Sequence, residues 1–197
     1  MPDSYRPLAH HRLNQPVIVM TPPAGRSAAV SEQSPAIAAM TDLSQIRPLM
    51  IDPFATMNDA NERMIAYAVR MLFVASSGQA MIGIITVVDI LGEKPVQYMR
   101  AVDCTPEEVL VRDIMTPVAD LEVLRLDDVE RSRLGDVIET LRHSGRQHAL
   151  VTETDASSGR ETVCGIFSTS QISRLMNARV EVSEVATDFA AIQTALS

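Results

Sequence analysis

The sequence predicts a mixed α/β (α+β) fold made of two copies of one supersecondary unit, and three observations predict it. Gly83-Ile84-Ile85-Thr86-Val87-Val88-Asp89 is echoed by Gly165-Ile166-Phe167-Ser168-Thr169-Ser170-Gln171. A glycine, two apolar residues, a hydroxyl residue and a polar residue three positions on describe a strand that turns at once into a helix. The elements upstream of each echo also come in the same order, which is the mark of an internal repeat. Finally, 197 residues that are 46% hydrophobic suffice to bury a core for both copies.

Residues 1–40 hold six prolines with little periodicity and read as an extended arm without helix. The first unit, 41–100, opens with the apolar strand Pro48 to Ile51. A helix follows from Met57, because Thr56 and Asp59 have capping-box spacing and Ala60, Met64, Ile65 and Ala68 recur at helical intervals. Met71 to Ala75 and Ala80 to Ile85 are paired strands joined by a turn at Ser76-Ser77-Gly78-Gln79. A short helix then runs to Leu91, with Gly92 expected as its left-handed stop.

The second unit, 101–177, starts with a connector in which Thr105-Pro106-Glu107-Glu108 has the pattern of a capped helix start leading into Val111 to Met115. Leu121 to Leu126 is its first strand. Leu134, Val137, Ile138 and Leu141 form a helical stripe ended by Gly145, and Asp127 and Asp128 read as solvated carboxylates at a helix start. His148 to Val151 and Thr162 to Phe167 are the paired strands, and a last helix runs from Thr169 towards Met176. In residues 178–197, Val185, Phe189, Ile192 and Leu196 mark an amphipathic helix that needs a partner for its apolar side.

Composition narrows the function. A formal charge of −8 argues against nucleic acid, and no apolar run approaches the ~18 residues of a membrane span. Val17 to Met20 is too short for a signal-peptide core, so the expected location is the cytoplasm. Cys104 and Cys164 suggest neither a disulfide framework nor a metal site, and the four His residues lack metal-ligand spacing. Lys94 is the only lysine among 17 basic side chains. No Rossmann fingerprint, P-loop or nucleophile motif is present, so no catalysis and no required cofactor are expected.

Two units of strand, helix, strand, strand and helix, each closed by the glycine–apolar–hydroxyl motif, resemble the cystathionine-β-synthase (CBS) domain over residues 41 to 177. Val111-Arg112-Asp113-Ile114-Met115-Thr116-Pro117 looks like the family's lead-in, and Met40-Thr41-Asp42 like a shorter one. The resemblance implies two pseudo-symmetric CBS units packed sheet to sheet, up to two clefts, and pairs that form homodimers. It also implies AMP, ADP, ATP or S-adenosylmethionine as candidate ligands, with occupancy controlling an associated protein, as in energy sensing. The arm and tail look too small to be a catalytic domain, so the expected regulated partner is another molecule of unknown identity.

In such a cleft the resemblance assigns Thr86 to ligand phosphate and Asp89 to ribose hydroxyls. A carboxylate does accept charge-assisted hydrogen bonds, and a helix N-terminus favours anions. Thr-x-x-Asp is equally a capping box, so a purely structural role competes. Arg70, with Met71 after it, is assigned towards phosphate in the first cleft. The second unit offers Ser168 and Gln171, a capping pair without the carboxylate, and Gln147 in place of Arg70. His143, Arg146 and His148 read as a basic cluster beside the second cleft. Thr41, Thr116 and Pro117 border the clefts from the lead-ins. The leading expectation is a regulatory protein that binds an adenine nucleotide chiefly at Thr86 and Asp89. The alternative is a ligand-free interaction scaffold, motivated by Gln147 and Gln171.

Overall fold

The computed structural model describes residues 30–76 and 80–182. The elements run β1 (Thr41–Asp42), β2 (Met50–Ile51), α1 (Met57–Ala66), β3 (Met71–Ala75), β4 (Met81–Thr86), α2 (Val87–Leu91) and α3 (Lys94–Val102). They continue with α4 (Val111–Ile114), β5 (Thr116–Pro117), β6 (Val123–Arg125), α5 (Leu126–Arg131), α6 (Leu134–Ser144), β7 (His148–Thr154), β8 (Glu161–Ser168) and α7 (Thr169–Met176). The expected turn residues 77–79, the arm up to residue 29 and the amphipathic segment from Ser183 lie outside the described residues.

Two four-stranded sheets form, in the orders β2-β3-β4-β5 and β1-β8-β7-β6. In each, a parallel pair is joined across helical segments, β2 to β3 over α1 and β6 to β7 over α5 and α6, as a parallel pair requires. An antiparallel hairpin follows, β3 with β4 and β7 with β8. Both hairpins carry a register irregularity at the same place, just after Val74 opposite Gly83 and just after Val151 opposite Gly165. The repeat therefore extends to the detail of strand pairing.

The period-two alternation of β3 divides its side chains between two cores. Leu72 and Val74 are buried against α1 and its neighbours, with Ala60, Met64, Val109 and Ile114. Met71 and Phe73 face the other way and meet Leu150 of β7, with Ile166 of β8 packed alongside. The two sheets thus pack face to face and helices cover their outer faces. Each fully buried Leu or Val side chain contributes roughly 1.5–3 kcal/mol.

The lead-in strands are exchanged. β1, which precedes the first unit, pairs with β8 of the second, and β5, which precedes the second, pairs with β4 of the first. The neighbouring segments follow: Ala36 and Ala39 are buried in the core around α6, whereas Val109 and Val111 are buried around α1. Residues grouped by sequence with one unit therefore complete the core of the other.

The structure also differs from the sequence reading in local detail. Ala36–Ala39 is a 3-10 helix where none is expected, formed because its two buried alanines need a compact backbone against α6. Gly92 is not left-handed, with φ −85°. Its need for glycine is steric instead, because a Cβ there would lie 2.6 Å from the Val88 carbonyl oxygen. The connector begins with α3, which the sequence reading misses, and the expected helix at Thr105 is only the 3-10 turn Pro106–Glu108. α3 carries Pro95, Tyr98, Met99 and Val102 at i, i+3, i+4 and i+7, and Tyr98 and Met99 pack against the core around α1. That stripe, with Pro at the helix start, is the signal that could have found it.

Candidate functional site

The site begins at the β4–α2 junction. Thr86 is extended and α2 starts directly after it. The Thr86 N–H and hydroxyl both donate to Asp89 Oδ2 at 2.7 Å, and Thr86 Oγ1 accepts from the Asp89 N–H at 3.3 Å. The capping box is therefore complete. The next amide, Val87 N–H, donates to the Arg70 carbonyl at 3.0 Å. The Thr86 hydroxyl and these amides at the start of α2 are thus satisfied within the chain.

Asp89 is a buried carboxylate, 6% exposed. Its second oxygen, Oδ1, accepts from Lys94 Nζ at 2.5 Å. Lys94 stands at the first position of α3 and also donates to the Ile114 carbonyl and to Thr116 Oγ1, each at 3.2 Å. Sequence reasoning marks Lys94 as the sole lysine and assigns it no role. Its rarity is the only sequence signal, since the contacts span up to 22 positions of chain.

Asp89 lines a cleft with a cavity of ≈ 200 Å³, together with Thr86, Thr116, Arg146, Gln147 and His148. The apolar floor comes from Ile84 and Leu150. Arg146 also donates to the Asp120 carbonyl at 3.2 Å. His148 is half-buried, and its pKa is lowered to about 4, first by burial and then by the Arg70 charge, with Asp89 opposing. It is therefore neutral at pH 7.

The placement of Arg146 and His148 corrects the sequence reading, which sets them beside the second unit's closing motif. Conversely, Arg70 lies in a second groove with Gln147, Thr169, Ser170 and Ser173, and not in the cleft of Thr86 and Asp89. The reason is the face-to-face packing of the sheets. It turns the start of each middle strand, Arg70-Met71 or Gln147-His148, towards the closing motif of the opposite half. Gln147 reaches both grooves.

At the start of α7, next to the groove residues Thr169 and Ser170, Ser168 Oγ accepts from the Gln171 N–H at 3.2 Å, but the reciprocal half of the expected box is not formed. Ser168 Oγ is instead shared with Ser170 Oγ at 3.3 Å. Thr169 N–H donates to the Gln147 carbonyl at 3.0 Å, the counterpart of Val87 and Arg70. Residues Arg179 to Val182 line this groove as well. Met71 sits opposite Thr86, while Thr41 pairs with Ile166 and Pro117 with Gly83 on the exchanged strands. Among the described residues no group of three His, Cys, Asp or Glu side chains could hold a metal ion, and no helix is long and apolar enough to cross a membrane.

The family model of the CBS domain matches residues 38–95. The curated proteins hold no significant match. Among solved structures, an uncharacterised conserved protein from Pyrococcus horikoshii is 22% identical with a TM-score of 0.52, over 78% of this chain and 100% of that one. CBSX2 from Arabidopsis thaliana, a CBS-pair protein solved in complex with AMP, is 19% identical with a TM-score of 0.50, over 72% of this chain and 94% of that one. At these identities the likeness is one of fold, and it agrees with the two exchanged, pseudo-symmetric halves. The CBS-domain model thus matches the first unit, and with the second unit of the same order that ends at α7 the chain has the fold of a tandem CBS-domain pair.

Proposed function

We propose that the chain is a regulatory sensor that takes an adenosine-containing nucleotide into the cleft at Asp89 and signals through a dimer or partner surface. The observation that carries this reading is the buried Asp89 carboxylate in a cleft whose opposite wall, Arg146 to His148, belongs to the other half. A ligand there touches both halves, so its binding energy biases their relative arrangement. Asp89 accepts ribose hydroxyls, Arg146 meets phosphate and Ile84 and Leu150 seat the base. The AMP complex of CBSX2 supports the ligand class. ADP, ATP and S-adenosylmethionine are the other candidates.

The groove of Arg70, Gln147, Thr169 and Ser170, flanked in sequence by Ser168 and Gln171, is the weaker second site, because Gln171 offers a neutral acceptor where Asp89 offers a charge. Thr41, Met71, Thr116 and Pro117 border the two sites as walls. The protein acts by binding and not by catalysis, on a partner still to be identified. Ile65 and Leu91 stay exposed on α1 and α2, which pack together, and form the proposed homodimer surface.

A thermal-shift panel of AMP, ADP, ATP, S-adenosylmethionine and NAD tests the proposal. A ligand at 100 times its Kd adds about 2.7 kcal/mol of stability. A shift with an adenosine nucleotide is expected; no shift with any at millimolar concentration overturns the reading. The second reading, a ligand-free scaffold, is favoured by the cavity of ≈ 200 Å³, below the ~300 Å³ at which small-molecule sites usually begin. Under that reading Asp89→Ala loses some stability and leaves partner binding intact.

A further inference from the structure

Lys94 leaves no donor unused. Its ammonium has three N–H bonds and three partners, Asp89 Oδ1, the Ile114 carbonyl and Thr116 Oγ1. The Asp89 carboxylate is nearly saturated as well. A carboxylate oxygen takes about two hydrogen bonds, and Oδ2 already has two from Thr86. Only one acceptor place remains, on Oδ1 beside the lysine. A ribose presents a vicinal diol with two donors, and the second of them finds its place held by Lys94.

Resting on the reading of this cleft as a nucleotide site, we infer that Lys94 is its specificity-determining residue, a resident cation that the second ribose hydroxyl must displace. Displacement strands no lysine charge, because the Lys94 side chain is 47% exposed and its head can swing into water, while the Asp89 carboxylate, at 7%, keeps its charge and exchanges the lysine contact for the hydroxyl. The same ammonium ties α3 to the end of α4 and to β5, the strand exchanged between halves. Its release therefore uncouples α3 from the lead-in and turns occupancy of the cleft into a change at the junction of the two units.

The test is calorimetric titration of wild type, Lys94→Met and Lys94→Gln with AMP and with 2′-deoxy-AMP, which has a single ribose hydroxyl. In wild type the two nucleotides should bind alike, since the second hydroxyl of AMP gains its acceptor only by breaking the Lys94 contact to Asp89 Oδ1. In both variants AMP should bind about tenfold tighter than to wild type, and 2′-deoxy-AMP should change by less than about threefold. Equal gains for both nucleotides, or weaker AMP binding as expected of a lysine that contacts phosphate, overturn the inference while leaving the cleft as a nucleotide site. No binding of either nucleotide to any of the three proteins overturns the nucleotide reading and the inference together. Hydrogen exchange on wild type needs no variant: saturating AMP should speed exchange in residues 94–102, and unchanged or slower exchange there in an AMP-bound protein also overturns it.

Discussion

Met40 passes over Gly165 so closely that a methyl group on that glycine would lie 2.8 Å from Met40 Cγ and 2.9 Å from its Cε. The other half repeats the arrangement, with Met115 Sδ 3.1 Å and the Thr116 carbonyl oxygen 2.5 Å from the same point on Gly83. The glycine of the closing motif is thus a crossing point where the exchanged lead-in lies on the hairpin.

Gly83→Ala is expected to cost about 2–3 kcal/mol, because the obstructing atom is backbone and cannot step aside. Gly165→Ala meets a flexible thioether and should cost only about 1 kcal/mol. Met40→Ala, by emptying the space, should relieve much of the second penalty. Urea unfolding of wild type, Gly165→Ala, Met40→Ala and the double variant measures the coupling, and additive effects would contradict the contact.

Asp89→Ala removes the acceptor of the α2 cap and the partner of Lys94. The loss should be about 1–2 kcal/mol, since a cap is worth about 1 kcal/mol and the half-exposed lysine can rehydrate. The thermal shift with AMP should disappear. A retained shift would remove Asp89 from the ligand site.

His148 makes stability depend on pH. Its folded pKa of about 4 lies below the ordinary 6.5, through burial first and the Arg70 charge second, against the pull of Asp89. The unfolded chain therefore takes up the proton first. The stabilisation is whole above pH 6.5 and is lost as pH falls towards 4, at most about 3 kcal/mol for this group. His148→Met, which installs the residue found at the matching position 71, should flatten the slope. Unfolding midpoints at about pH 7 and about pH 5 for both proteins, on either side of the unfolded pKa, decide it.

Ile65 and Leu91 are 71% and 73% exposed on helices that pack together. If they form the proposed dimer face, Ile65→Asp should shift the protein from dimer to monomer in light scattering with little change in monomer stability. An unchanged mass would place the dimer contact elsewhere.

Much of the architecture is legible in the sequence because its signals are local. The capping box of Thr56 and Asp59, the left-handed Gly145 with φ 64° and the β4–α2 junction at Thr86 each depend on residues within a few positions. Gly92 does end α2, but for a reason the sequence does not display. Its steric need is visible only once the Val88 carbonyl is in place. α3 is legible on the same terms, through Pro95, Tyr98, Met99 and Val102 at helical spacing, although the sequence reading passes over it.

The candidate site divides in the same way. The chain's own order determined that Thr86 and Asp89 form a capped helix start and that Ser168 opens the matching one, because hydrogen bonds three residues apart need no tertiary context. Tertiary structure decided which wall each motif faces. By packing the sheets face to face it brought Arg146 and His148 to Asp89 and sent Arg70 to the opposite groove. It also set Lys94 against Asp89 while tying it to Ile114 and Thr116, some twenty residues further on. Such contacts depend on how layers stack and strands exchange, and neither has a periodicity that a sequence can display.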